Sequence, residues 1–291
     1  MKWFKYKKIY FSLSGVLIFI SVISLISWGM RLGIDFTGGT IIEYRPSVSI
    51  GEGEIKDAFN KNGVQNVDVE FSGSTFSVKT GVLSEENKLK AESELKNKDK
   101  DLQELRYEVV GPAIGPELVQ KTINAILASS VVILFWVAFQ FKNIKYGLSA
   151  VLAMFHDSLI VLGAFSLMGH FWAVEIDFLF VTAVLTILSF SVHDTIVVFD
   201  RIREVSKKTY GDLADIADSA VTQTMVRSLN NSFTIIFMLV ALVLLGGETI
   251  RWFAVALLIG TVSGTYSSPF VAVPLLVTFD RIKLLKISLR K

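Results

Sequence analysis

Long apolar stretches separated by polar connections dominate the chain outside residues 31–120. A membrane-spanning helix needs roughly 20 mainly apolar residues. Six segments reach that length, at about 9–30, 121–141, 146–168, 177–199, 229–246 and 251–279. The basic start of the chain is typical of a secretory signal peptide, but the first apolar segment is long and no small-residue cleavage pattern follows it. We therefore predict that residues 1–30 hold a short N-terminus and an uncleaved first helix.

Basic residues flank the short ends of these segments mainly on one side, and Arg251 lies at the edge of the opposite loops. The basic residues of the main side lie before helix one, between helices two and three, and after helices four and six: Lys2, Lys5, Lys7, Lys8, Lys142, Lys145, Arg201, Arg203, Lys207, Lys208, Arg281, Lys283, Lys286, Arg290 and Lys291. The opposite loops, 169–176 and 247–250, contain no Lys or Arg. Because positive residues of short loops stay on the cytoplasmic side, we predict cytoplasmic termini, a basic cytoplasmic tail at 280–291 and an extracytoplasmic segment at 31–120.

The polar segment 31–120 has the patterns of a small α+β domain. Apolar residues alternate in the strand-like stretches and recur at helical spacing in the others. The predicted order is a strand at 40–44, a helix at 53–62, a hairpin at 67–78 with its turn at 72–74, a helix from Ser84 to about 105, and a strand at 107–110. This β-α-β-β-α-β order predicts a ferredoxin-like domain. The fold class is therefore a polytopic α-helical membrane protein with one extracytoplasmic ferredoxin-like domain.

Composition narrows the possible functions. Hydrophobic residues make up 52% of the chain and the mean hydropathy is +0.52, which excludes an ordinary soluble domain. A net charge of only +2 gives no indication of nucleic-acid binding. The three histidines are well separated and cysteine is missing, so we predict no metal site and no disulfide. No nucleophile–base pattern indicates an enzyme, and no motif indicates a cofactor.

An aspartate lies inside the fourth apolar segment. Asp194 precedes Asp200 by six residues, which places it about 9 Å further into the membrane. A central Asp costs about 2.5–3.5 kcal/mol on insertion, so its side chain must face protein or water. Ser191 and Thr186 lie on roughly the same side and extend a polar track. A carboxylate in such a position can bind and release a proton; alternatively, Asp194 forms a structural hydrogen bond between two helices.

Other polar residues are candidate partners of Asp194. Arg227 begins helix five at a similar predicted depth, where it can pair with Asp194 or extend to the membrane surface; spacing alone favours neither. His193 can relay protons or pack between helices. His156 and Asp157 in helix three can line the same polar space or cap a bend.

Glycines mark packing and turn positions. Gly260 and Gly264 form a GxxxG pattern in helix six, which predicts close helix packing rather than chemistry. Pro269 and Pro274 are expected to kink that helix. The stretch GIDFTGGT predicts a tight turn between membrane and strand, and it lacks the spacing of a phosphate-binding loop. Its candidate turn residues are Gly33, Asp35, Gly38 and Gly39.

Several of these stretches together resemble one family over essentially the whole chain. The motifs are GIDFTGGT, VGPAIGPEL, HDSLIVLG, DTIVVFDRIRE and QTMVRSLNNS. They resemble the SecF branch of the SecD/SecF protein-export family, in the resistance-nodulation-division superfamily. The first motif is shared with SecD, whereas DTIVVFDRIRE with six helices is specific to SecF.

The resemblance implies a multi-pass protein of the bacterial inner membrane, in contact with membrane lipid. It implies pairing with SecD in a twelve-helix bundle, which assists the SecYEG channel with YajC as an accessory. The proton motive force would move the outer domains and draw an unfolded polypeptide outward. The family's functional acid and arginine map onto Asp194 and Arg227. The family usually has Asn where this chain has His193, so the coupling ion, proton or sodium, stays open. A passive scaffold and a small-molecule efflux module are the alternatives.

Overall fold

The structure is a computed structural model that describes residues 2–111 and 114–281. Contacts divide the chain into two compact units: one contains the residues up to Arg31 and from Asn124 onward, and the other spans Leu32–Ile123. Nearly all of the predicted basic tail lies outside the described residues. The elements in chain order are α1 (Lys7–Ser27), α2 (Ile34–Thr37), β1 (Gly39–Arg45), α3 (Glu52–Lys61), β2 (Asp68–Ser72), β3 (Thr75–Thr80), α4 (Glu85–Lys98), β4 (Gln103–Val110), α5 (Ile114–Phe141), α6 (Ile144–Trp172), α7 (Phe178–Lys208), α8 (Leu213–Leu245), α9 (Glu248–Ser267), a π-helical turn (Ser268–Ala272) and α10 (Val273–Arg281).

The helical unit confirms the predicted membrane architecture. Within the described residues, six helical segments are long and apolar enough to span a membrane, the sixth being α9, the π-helical turn and α10 together. The most apolar windows of α6, α7 and the sixth segment are 56%, 50% and 61% buried, against 17% for each of the other three. The central helices of the unit are therefore α6, α7 and the sixth segment.

Two helices extend beyond their predicted ends. The sequence predicts a connection at 200–228, but α7 continues to Lys208 and α8 already begins at Leu213. Ion pairs at helical spacing, such as Arg203 with Asp200 and Lys208 with Glu204, stabilise the polar end of α7. The first half of α8 buries residues at intervals of three and four, which face the core: Ala214, Ala217, Ala220, Val221 and Thr224. The connection is consequently only residues 209–212.

The smaller unit is the predicted ferredoxin-like domain. Its four antiparallel strands follow the order β2-β3-β1-β4, and alternate residues such as Ile42, Tyr44 and Phe76 are buried in a core that Phe59 of α3 and Leu95 of α4 also enter. Ser84 caps α4 by accepting from the backbone N–H of Asn87 at 3.3 Å, as predicted.

The second half of this domain corrects two predicted boundaries. The sequence predicts a helix to about 105 and a strand at 107–110, but α4 ends at Lys98 and β4 begins at Gln103. Asp99 explains the early end, because its carboxylate accepts from the backbone N–H and hydroxyl of Ser47, at 2.6 and 2.5 Å, and from the N–H of Asp101 at 3.1 Å. The chain then has room to pair β4 with the full length of β1.

The glycine stretch after the first membrane helix forms a compact turn, as predicted. Gly33 precedes α2 and Asp35 lies within it, while Gly38 and Gly39 follow with φ of 73° and 137°. Both angles favour glycine. A Cβ on Gly39 would lie 2.6 Å from the backbone oxygen of Thr80, so the turn also needs glycine in order to approach β3.

Candidate functional site

Asp157, in the middle of α6, has hydrogen-bond partners on both of its carboxylate oxygens. Its side chain has no solvent exposure. Oδ1 accepts from Ser263 Oγ at 2.6 Å and lies 3.0 Å from His156 Nδ1. Oδ2 accepts from Ser191 Oγ at 2.7 Å and Ser267 Oγ at 2.6 Å. Each oxygen of the carboxylate thus has two partners, and together they join α6 to α7 and α9.

The sequence predicts Ser191 beside Asp194 and gives no indication of Ser263 or Ser267. The Ser191 hydroxyl instead points to Asp157 on the neighbouring helix. The signal that would have found the other two is the spacing of four residues between Ser263 and Ser267 in an apolar helix, which puts both hydroxyls on one face.

Asp194 has much sparser surroundings than Asp157. Its Oδ1 accepts from Ser228 Oγ of α8 at 2.6 Å. Its Oδ2 is buried, and within residues 2–111 and 114–281 it has no hydrogen-bond partner. Half of this carboxylate is therefore open to a proton or a small polar ligand.

Arg227 immediately precedes Ser228 in α8, and its side chain is exposed. Across the part of the chain that the structure describes, no hydrogen bond or ion pair joins Arg227 to Asp194. The two residues lie on adjoining helices, but this structure does not pair their charges. A role for Arg227 in ion coupling stays a prediction.

Of the remaining predicted candidates, His156 and His193 each lie next to one of the two aspartates, whereas Thr186 does not. His156 contacts Asp157, and its Nε2 is buried without a partner among the described residues. His193 is exposed and lies beside Asp194 at the edge of the same space. Thr186 donates to the backbone oxygen of Thr182 in its own helix, at 2.7 Å. Thr186 therefore takes no part in either carboxylate's surroundings.

A small cavity lies beside Asp194, between α7, α8 and α9. Its volume is about 30 Å³, enough for one water molecule. Polar side chains line it from all three helices: Ser191, His193, Asp194, Asn231, Ser232, Thr261 and Thr265. The polar residues around Asp194 therefore do not form the track along α7 alone that the sequence predicts. They line a cavity shared by three helices.

The glycines of helix six have different surroundings. A Cβ on Gly260 would lie 2.4 Å from the Ile187 side chain, so this position permits close packing of α9 on α7. A Cβ on Gly264 would meet Ser191 Cα at 3.5 Å and Asp157 Oδ2 at 3.6 Å, which are ordinary contacts. Gly264 also lines the cavity, so it separates the cavity from Asp157.

Among the described residues, no group of three or more His, Cys, Asp or Glu side chains is placed to hold a metal ion.

Comparison with known proteins assigns the family. The family described as "Protein export membrane protein SecD/SecF, C-terminal" matches residues 90–281. The "SecD/SecF GG Motif" matches residues 23–49, which include Gly38 and Gly39. The chain belongs to the SecD/SecF family.

Curated relatives match along nearly the whole chain. The protein translocase subunit SecF of Thermobaculum terrenum is 40% identical, covering 98% of this chain and 96% of the relative. The Haemophilus influenzae protein of the same name is 36% identical, covering 94% and 84%. This SecD/SecF family member is accordingly a multi-pass membrane protein associated with Sec-dependent export.

Solved structures of the SecD/SecF family share the fold. SecDF from Thermus thermophilus, described as a translocon-associated membrane protein, superimposes with a TM-score of 0.85 at 31% identity over 96% of this chain. SecDF in a super-membrane-facing form superimposes with a TM-score of 0.72 at 30% identity over 98%. The chain spans only 38% and 39% of those two longer chains.

Proposed function

We propose that this chain is the SecF-type subunit of a complex that uses the proton motive force to assist protein export through the Sec channel. Asp194 takes up and releases the proton, and the change of charge moves the ferredoxin-like domain against an unfolded polypeptide. The subunit performs no covalent chemistry of its own. The observation that carries the proposal is the half-satisfied Asp194 carboxylate beside a polar cavity in a membrane helix.

The local chemistry supports proton uptake at Asp194 rather than at Asp157. A carboxylate with four partners has no unused acceptor site, whereas Asp194 Oδ2 is buried and unpaired within the described chain. Buried polar groups are nearly always hydrogen-bonded, so Oδ2 needs a partner that can come and go. A proton carried through the cavity satisfies that need.

An exposed polar face supports a SecD-type partner. His193, Arg227, Asn230 and Asn231 are all exposed, although they belong to two helices of the membrane-spanning unit. Polar side chains in a membrane face protein or water rather than lipid. A second membrane subunit would cover this face, and the solved SecDF chains are long enough to contain one in addition to the part matched here.

The basic flanks support the proposed orientation of the chain in the membrane. Positive-inside orientation supports cytoplasmic termini in the bacterial inner membrane, with the ferredoxin-like domain outside. In that orientation the domain can meet a chain leaving the SecYEG channel, and YajC remains a proposed accessory.

The test is Asp194→Asn in the full complex with SecD, compared with Asp200→Asn. Asp200 is a matched control, because it lies in the same helix but is exposed and paired with Arg203. We expect Asp194→Asn to leave recovery of the complex unchanged and to abolish proton-driven stimulation of export into membrane vesicles. Asp200→Asn should export normally.

Two outcomes would contradict the proposal. Normal stimulation by Asp194→Asn would remove proton uptake from this residue. Loss of the complex in detergent, with normal activity of what remains, would favour the passive scaffold. Repeating the wild-type measurement with a sodium gradient in place of the proton gradient shows whether proton or sodium is the coupling ion.

A further inference from the structure

Two buried oxygens without partners lie at one cavity. Within the described residues, Asp194 Oδ2 and Thr261 Oγ1 have no hydrogen-bond partner, and both side chains line the cavity between α7, α8 and α9. Thr261 is only 6% exposed. Leaving such a group without a hydrogen bond costs free energy. Each oxygen therefore needs a partner, and one ligand in the cavity can serve both.

Thr261 differs from the other helical threonines in how its hydroxyl is used. Threonine in a membrane helix usually donates to the carbonyl four residues earlier, which satisfies it within its own helix. Eight threonines of α7, α8, α9 and α10 do so: Thr182, Thr186, Thr195, Thr222, Thr224, Thr234, Thr265 and Thr278. Thr261 makes no such bond and is the hydroxyl available to a ligand in the cavity.

The cavity fits a water molecule in size and chemistry. A cavity needs at least about 10–15 Å³ to hold one water, which makes two to four hydrogen bonds. The cavity volume is about 30 Å³, and Ser232 and Thr265 line it beside Asp194 and Thr261. Ser232 and Thr265 bond each other at 2.7 Å, so they can support a water without providing its main partners.

We propose that Thr261 holds one water molecule against Oδ2 of Asp194 and that this water transfers the proton. In the loading step, a hydronium ion in the cavity gives one proton to Oδ2, which leaves a neutral carboxyl and a water. The reverse step returns the proton to that water. This inference rests on the proposed function, and it adds Thr261 as a positioning residue.

Few charged or titratable groups face this site. Asp194 and His193 come from α7, and Arg227 of α8 adjoins Ser228, the donor to Asp194 Oδ1. From α6, Asp157 lies behind Ser191 and Gly264. The lining residues of α9 are Gly260, Thr261, Gly264 and Thr265, which carry no charge. The water therefore lies between hydroxyls and one carboxylate, and Thr261 can be altered without changing a charge.

The experiment measures proton flux through the complete complex with SecD, reconstituted in vesicles that contain a pH-sensitive dye. Thr261→Val removes the hydroxyl at constant shape, and Thr261→Ser restores it. Thr234→Val is the matched control, because its hydroxyl bonds the Asn230 carbonyl of its own helix. We expect Thr261→Val to lower flux at least about tenfold, as for one hydrogen bond to a charged group, with near-normal flux in the other two variants.

Recovery of the complex and its melting temperature are measured for every variant, so that a loss of flux is separated from a loss of folding. Normal flux in Thr261→Val overturns the inference, as does Thr261→Ser that behaves like Thr261→Val. If Asp194→Asn still abolishes flux in those cases, the proposed function stands and only the water site falls; normal flux in Asp194→Asn contradicts the proposed function itself.

Discussion

Asp157 and Asp194 are both aspartates within membrane-spanning helices, yet their surroundings are opposite. Asp157 is fully buried and has four side-chain partners, three of them serines from α7 and α9. Asp194 has one partner, Ser228, and an unpaired oxygen at a cavity. Ser191 and Gly264 lie between the two sites. The difference separates an acid whose hydrogen bonds join helices from one that keeps an oxygen available, and it supports the proposed proton uptake at Asp194.

The two acids occupy neighbouring sites without sharing a hydrogen-bond donor. Asp157 joins three helices and so fixes the wall behind the cavity. Asp194 has Ser228 of α8 as its partner.

The largest expected effect is on stability, from Asp157→Ala. Four groups would lose their common partner, so the free energy of unfolding should fall by about 3 kcal/mol. Asp194→Ala removes one hydrogen bond and should lower it by about 1 kcal/mol or less. Reversible unfolding in mixed detergent micelles measures both. Equal losses in the two variants would remove the distinction between a structural and a chemical aspartate.

A double-mutant cycle tests the assignment of Ser191 more finely. Because its hydroxyl donates to Asp157, the coupling free energy between Ser191→Ala and Asp157→Asn should be about 1 kcal/mol, within the range for membrane hydrogen bonds. The same cycle with Asp194→Asn should give a value near zero. A larger coupling to Asp194 would restore the polar track that the sequence predicts.

The smallest expected effect concerns Asp99, a fully hydrogen-bonded carboxylate outside the membrane-spanning helices and hence a reference for Asp157. The Ser47 hydroxyl, helped by backbone N–H groups, holds the pKa of Asp99 below its ordinary value, although burial opposes this. The resulting stability is present above the ordinary pKa of Asp, about 3.9, and is lost as the pH falls through the lower folded pKa. Acidification should therefore loosen the ferredoxin-like domain of the wild type more than that of Asp99→Asn.

Hydrogen exchange of the β1 amides, corrected for the intrinsic pH dependence of exchange, measures this difference in the full chain. Parallel pH profiles for wild type and Asp99→Asn would contradict the assigned role of the carboxylate.

Much of the fold was predictable because its signals are local. Runs of about 20 apolar residues define membrane helices, and alternation defines strands. The ends of α7 and α8 were not predictable by hydropathy, because ion pairs and an amphipathic first half continue them through polar sequence. Asp99 likewise ends α4 through contacts with Ser47, 52 residues away in sequence.

The site was predictable only in part, because some of its contacts join residues that are distant in sequence. Asp194 stands out as an acid in an apolar helix, whatever it contacts. The role of Asp157 depends on serines 34, 106 and 110 residues away, and no local pattern records those distances. Thr261 was missed because nothing in the sequence separates it from the threonines that bond their own helices.

The π-helical turn at Ser268–Ala272 has a consequence for the sixth membrane segment as a whole. Pro269 cannot continue regular helical bonding, and a wider turn absorbs one extra residue, which offsets the helix faces by about 100°. Ser263 and Ser267 before the turn, and Leu276 and Val277 after it, are all buried. One continuous segment thus presents hydroxyls to Asp157 before the turn and, after it, a rotated hydrocarbon surface to the core of the helical unit.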